Sequence, residues 1–141
     1  MKVVCVKVDP LRPKTKELLT ALQKDCLPGD RLYFPDDGVW WIAYHQRAAV
    51  AFACVAPSRH TAQAVYLGRC GVVKAARGQG IQRRLIRIRL AWAKRKGYKW
   101  AVSDTTDNVP SSNNLIACGF RLYTPEYKHA YVRSLYWKRA I

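Results

Sequence analysis

The stretch from Gly71 to Leu85, GVVKAARGQGIQRRL, brings together residue types that bind anions. An apolar strand end, Gly71-Val72-Val73, runs into a short loop carrying Arg77-Gly78-Gln79-Gly80, and an apolar-periodic helix opens near Ile81. Glycines let a backbone come close to a ligand, and the first-turn N–H groups of a helix have no partner inside it. The helix dipole adds positive potential at the same place. The pattern predicts a phosphate-bearing ligand on residues 77 to 82; the competing reading is an ordinary tight strand-to-helix turn. Two common phosphate loops do not fit. A Walker loop needs Gly-Lys-Ser/Thr where this chain has Gly80-Ile81-Gln82, and a dinucleotide fingerprint needs a glycine where it has Arg83. The acidic residue expected about 20 positions further on is also missing, because no Asp or Glu occurs before Asp104.

A second stretch, DTTDNVPSSNNLIACGF from Asp104 to Phe120, has its own logic. Pro110 suits the first turn of a helix capped by Asn108 or a neighbour. Gly119 suits the left-handed position after that helix, and Phe120 starts the next strand. Taken together, the two stretches resemble the GNAT family of acyl-CoA N-acyltransferases. Its cofactor segment reads Arg/Gln-x-x-Gly-x-Gly/Ala after a β-branched pair, matched here by Val72-Val73, Arg77 and Gly80, with Gln82 in place of the last small residue. Its later segment places Asn, Ser and Gly-Phe as Asn108, Ser111 and Gly119-Phe120 do.

The resemblance implies a single α/β domain of α+β type over residues 1–141. It also implies a mixed, mostly antiparallel sheet of about six to seven strands, splayed between the fourth and fifth and flanked by three to four helices. The implied reaction is transfer of an acetyl group from acetyl-CoA to a primary amine. The implied cofactor residues are Val72, Val73, Lys74, Arg77, Gly78, Gln79, Gly80, Ile81, Gln82, Asn108 and Ser111, with the Val72 N–H as an oxyanion donor. A free amine titrates at about 8 for an α-amino group and about 10.4 for lysine, so a base within hydrogen-bond reach helps. Family members often carry a Glu on the fourth strand and a Tyr four residues before Gly-Phe. This chain has no carboxylate between Ala64 and Val73, and Leu115 stands at the Tyr position. Asp104 is the candidate base, with turn capping as its alternative role. Tyr66, Tyr123 and Tyr127 are candidate acids.

The chain has 141 residues, half of them hydrophobic, enough for one core. No apolar run is long enough to span a membrane, and the first ten residues alternate like a strand rather than a leader. Five scattered cysteines without metal spacing predict reduced thiols in a cytoplasm. His45, His60 and His129 lie far apart in sequence and read as surface or pocket-rim residues rather than metal ligands. The net charge is +16, and no acidic residue occurs between Gly38 and Ser103. CoA accounts for part of that charge. The remainder fits an acidic protein, a tRNA, or plain solubility. Two function classes follow: an acetyltransferase acting on a protein amine, a small amine or an aminoacyl-tRNA, and a catalytically weak scaffold that binds nucleic acid or an acidic partner.

To position these residues the chain needs a first strand at Val3 to Val8 and a helix at Lys14 to Cys26. A hairpin follows at Val39 to His45 and Ala48 to Ala56, then a strand at Ala64 to Val73. The long helix is expected at Ile81 to Lys96, with Ile81, Leu85, Ile88 and Trp92 on one stripe and Ile86, Leu90 and Ala93 on another. Arg83, Arg87 and Lys94 fall between the stripes. A strand at Tyr98 to Ser103, a helix near Ser111 to Cys118, and a closing pair at Phe120 to Tyr123 and Tyr131 to Lys138 complete the order. Tyr33, Phe34, Trp40 and Trp41 are candidates for an acceptor wall, or else core.

Overall fold

Stretches that alternate in polarity pair as strands, and the helical repeat after Gly80 packs as the central helix. The structure is a computed structural model describing residues 1–141. In chain order it forms β1 (Val4–Val8), α1 (Pro13–Cys26), β2 (Val39–His45), β3 (Ala48–Pro57) and β4 (Ala64–Val72). One 3₁₀ turn at Lys74–Ala76 precedes α2 (Ile81–Arg95), β5 (Trp100–Thr105), α3 (Val109–Ala117), β6 (Arg121–Leu122) and β7 (Leu135–Ala140). The strands make one seven-stranded sheet in the order β1-β2-β3-β4-β5-β7-β6. Every neighbouring pair is antiparallel except β4 and β5.

That parallel pair is short. It runs from Ala64↔Trp100 to Tyr66↔Val102 and then stops, so Leu67 to Val72 diverge from the end of β5. The cause is visible on the other side of β4, where Cys54 of β3 faces two residues, Gly68 and Arg69, between the pairs Ala53↔Cys70 and Val55↔Leu67. An extra residue bends the strand that carries it. Ser103 Oγ donates to Leu67 O at 2.8 Å and bridges the start of the fork.

Period-two alternation divides the apolar side chains between the two faces of the sheet. Trp40, Ile42, Phe52 and Cys54 pack against Leu19 and Leu22 of α1. Trp41, Ala43, Val55, Val65 and Leu67 pack against Ile81, Leu85, Ile86 and Leu90 of α2. Ile88 and Trp92 of the predicted stripe are only partly buried at the edge of that core.

Three elements differ from expectation by two residues or more at an end. β5 begins at Trp100 rather than Tyr98 because Gly97, at φ +89°, turns the chain and Tyr98 N–H caps α2 by donating to Ala93 O. Val109 and Pro110 already lie within α3, because the Asn108 side chain satisfies an amide of its first turn. β7 starts only at Leu135, since the segment before it folds as turns over the site.

Candidate active site

The predicted anion loop is built from backbone. Gly78 and Gly80 hold φ of +77° and +75°, which glycine adopts without strain, and a Cβ at either would meet nothing within 4 Å. Gly80 caps α2 with no side chain of its own, and the first bond of the helix is Arg84 N–H to Gly80 O. The amides from Gly78 to Arg83 therefore have no protein acceptor. Consecutive free donors at a helix start, in open space, with the exposed cations of Arg77 and Arg83 close by, fit a pyrophosphate.

The loop opens into a cleft of about 830 Å³ lined by Cys70, Val72, Arg77, Gly78, Gly80, Gln82, Asn108 and Ser111. Val72, Arg77, Gly78, Gly80, Ile81, Gln82, Asn108 and Ser111 of the predicted set are thus brought together. Val73, Lys74 and Gln79 do not line it: Val73 N–H bonds Val50 O, and Gln79 accepts from the N-terminal ammonium of Met1. Because Val73 and Val50 bond directly, strand alternation turns the Val72 N–H away from β3 and into the fork. Its carbonyl accepts from Arg77 Nε at 3.1 Å, which anchors the loop to the strand.

Gln82, where the family pattern has a small residue, ties α2 to α3. It donates to Ser111 Oγ at 3.1 Å and accepts from Asn114 Nδ2 at 2.6 Å. Asn108 uses Oδ1 to cap Ser111 N–H, while its Nδ2 has no protein acceptor and the residue lines the cleft. Leu27, Cys70, Gln82, Asn108 and Ser111 are shared with a second cavity of about 650 Å³ inside the fork, so the cleft continues as a channel.

Asp104 lies in that second cavity, next to last in β5, and its Oδ2 accepts from the Tyr66 hydroxyl at 2.8 Å. Two residues separately named as base and acid are therefore hydrogen-bonded partners. Burial, and then the Asp104 carboxylate, push the Tyr66 phenol above its ordinary range, so it stays protonated as a donor. Tyr123 and Tyr127 do not reach the fork cavity.

Tyr66, Gly68 and Arg69 also border a third cavity, of about 320 Å³, lined by Tyr33, Asp36, Asp37, His60 and His129. Arg69 pairs with Asp30 at 3.2 Å, and His60 and His129 stack at 4.4 Å with an interplanar angle of 15°. Of the four aromatic wall candidates, only Tyr33 lines this cavity. Phe34 packs on Trp40 at 5.2 Å, and Trp40 and Trp41 are core on opposite faces.

Two residues of consequence escaped the sequence reading. Gln23, buried on α1, makes two hydrogen bonds to the backbone of Tyr33 and fixes the loop that carries it. Arg89 is 2 % exposed, beneath the fork. Its signal was its spacing, four residues from both Leu85 and Ala93, which puts it on the buried face of α2.

The comparisons with known proteins agree with this architecture. No curated protein matches the chain by sequence. Among solved structures, an IAA acetyltransferase from Bacillus cereus superposes with a TM-score of 0.76 at 16% identity, covering 99% of this chain and 100% of its own. A Bacillus subtilis acetyltransferase solved in complex with CoA gives 0.77 at 13% identity, covering 99% of each chain. The ribosomal-protein-S18-alanine N-acetyltransferase of Escherichia coli gives 0.77 at 10% identity, covering 99% of this chain and 94% of its own. At such identities the likeness is one of fold. Residues 9–120 match the model of the acetyltransferase (GNAT) family, and with its cradle of free amides leading into a forked sheet the chain belongs to that family of acetyl-CoA-dependent acetyltransferases.

Proposed function

We propose that this protein acetylates a primary amine that enters the cavity of Tyr33, Asp36, Asp37, His60 and His129, with Asp104 as the base acting through Tyr66. The observation that carries the reading is the 2.8 Å hydrogen bond from Tyr66 to Asp104 at the fork, with Tyr66 lining both the acceptor cavity and the cofactor channel. Tyr66 Oη gives its proton to Asp104 and keeps lone pairs on the acceptor side. An ammonium donating to Tyr66 Oη loses its proton there as the phenol passes its own to Asp104. Asp36 and Asp37 share the cavity with Arg59 and with Arg69, which is paired to Asp30, so the two carboxylates offer docking points for the ammonium of the acceptor.

Bound acetyl-CoA would supply an activated acyl group. The amides from Gly78 to Arg83 would hold its pyrophosphate, Asn108 Nδ2 and Ser111 its arm, and the Val72 N–H its thioester carbonyl. Five cysteines without a disulfide support a cytoplasmic setting. The acceptor classes are a lysine or N-terminus of a protein, a small amine, or an aminoacyl-tRNA. A second reading, binding of a nucleic acid or acidic partner, rests on Arg87 and Lys94, exposed on α2.

The cofactor reading is tested by Gly80→Asp, which puts a carboxylate into the cradle. Calorimetry should show acetyl-CoA binding lost while circular dichroism is unchanged. Equal affinity in the variant would remove the assignment.

A further inference from the structure

Arg89 is a buried cation without a carboxylate partner. Its Nε donates to Leu85 O at 3.2 Å in its own helix, and one terminal nitrogen donates to Cys54 O at 2.9 Å. Cys54 is the residue that faces the bulge in β4, so its carbonyl is available to a donor from the helix side. The other terminal nitrogen has no protein partner, and the residue borders the fork cavity together with Tyr66, Ser103, Asp104 and Leu115. A guanidinium stays charged in a protein, and removing a charge from water is costly unless another charge or several dipoles offset it. Two carbonyls are few for such a group.

We propose that Arg89 is the counter-charge for the CoA sulfur, stabilising the thiolate that leaves when the acyl group is transferred. The proposal rests on the acyl-CoA reading above. Arg89 lies eight residues after Ile81 on α2, roughly 12 Å along the helix axis from the phosphate cradle, on the fork cavity that adjoins the cofactor cleft. Acyl transfer makes a C–N bond and breaks the C–S bond, and the electron pair of the broken bond stays on sulfur. Of the two protons the ammonium loses, one passes through Tyr66 to Asp104 and the other to water. The side chain at the usual acid position is Leu115, which has no proton to give, and the Tyr66 proton is committed to Asp104. A fixed positive charge lets sulfur depart as the anion and take its proton from water after release.

Other ionisable groups act on the same space. Asp104 and Tyr66 face the cavity from β5 and β4, the Cys54, Cys70 and Cys118 thiols surround the guanidinium, and the Asp30–Arg69 pair and Arg31 stand at the mouth. Asp104 opposes a thiolate, so a net shift in its favour reports the guanidinium.

The test uses CoA itself and S-methyl-CoA, which cannot ionise at sulfur. Dissociation constants for both are measured by calorimetry from pH 6 to 10, for the wild type and for Arg89→Met and Arg89→Lys. In the wild type, CoA should bind more tightly as pH rises, relative to S-methyl-CoA. The bound thiol should titrate at least one pH unit below free CoA in the same buffer, a tenfold preference for the thiolate. Arg89→Met should bring that midpoint back to the free value and leave S-methyl-CoA affinity unchanged; Arg89→Lys should keep it low. Parallel pH curves for the two ligands in the wild type, or an unmoved midpoint in Arg89→Met, would overturn the proposal. Should Arg89→Met fail to fold, Arg89→Gln, which keeps hydrogen-bond donors without the charge, takes its place under the same criteria. Failure of both ligands to bind the wild type at any pH would instead sink the acyl-CoA reading.

Discussion

In the mechanism proposed here, Tyr66 and Asp104, hydrogen-bonded at 2.8 Å, divide between them what one carboxylate on the fourth strand would do. If they act as a unit, Asp104→Asn and Tyr66→Phe should each lower kcat at neutral pH by about 10²-fold, and the double variant should be little worse than either. CoA affinity should be kept, because neither side chain belongs to the cradle. Steady-state kinetics across pH check this, and an unchanged pH–rate profile in Asp104→Asn removes the residue from the mechanism. Cys54 gives a prediction about stability. Burial pushes its thiol from 9.0 up to about 12, against the pull of Arg89. The folded chain therefore holds this proton to a higher pH than the unfolded chain. The contribution is whole below pH 9 and is lost as pH rises towards 12. Urea titrations should show the wild type losing up to about 1.4 kcal/mol more per pH unit than Cys54→Ala between pH 9 and 11. Equal slopes would show that the thiol titrates normally.

At the scale of elements, the site depends on how α1 and α2 meet the bulged β4. Gly71 shows how tight one of those contacts is: a Cβ there would stand 2.5 Å from Cys26 Cβ and 2.7 Å from Phe52 Cε1. Neither neighbour can yield easily, since one ends α1 and the other is wholly buried. Gly71→Ala should cost about 1–3 kcal/mol by overpacking and move the end of α1 away from the channel. Chemical denaturation reads the first effect and CoA titration the second, and an unshifted midpoint would refute the packing argument. The glycine was legible in sequence as part of a strand end entering a phosphate loop. Its role in seating α1 was not, because α1 reaches it from 45 residues earlier in the chain.

Across the whole molecule, charge is the property without a settled use. Arg83 Nε bonds Asn114 Oδ1 at 2.8 Å, while Arg87 and Lys94 are exposed and form no ion pair. If this face binds a nucleic acid, log affinity for tRNA or duplex DNA should fall linearly with log salt, with a slope of about −0.7 to −0.9 per phosphate contact. The double change Arg87→Glu, Lys94→Glu, which leaves Arg83 beside the cradle untouched, should then flatten the slope and leave CoA binding intact. Absence of salt-sensitive binding by the wild type near physiological ionic strength retires the second reading, and turnover of a small amine by the double variant shows that the face is dispensable for chemistry.

The sequence by itself determined the features that short-range physics controls. The free amides after Gly78, the Asn108 cap, the turn at Gly119 and the order of strands and helices each depend on a few neighbouring residues, because helix ends and alternation are local properties. Only the tertiary structure decided what crosses between elements. It brought Tyr66 to Asp104 over 38 residues, stacked His60 on His129, sent Trp40 and Trp41 to opposite cores and buried Arg89 beneath a bulge. Strand register and the placement of one extra residue in β4 set the Tyr66–Asp104 pairing and the fork above Arg89, and register is fixed by which whole faces are buried, a condition that no single stretch of chain contains.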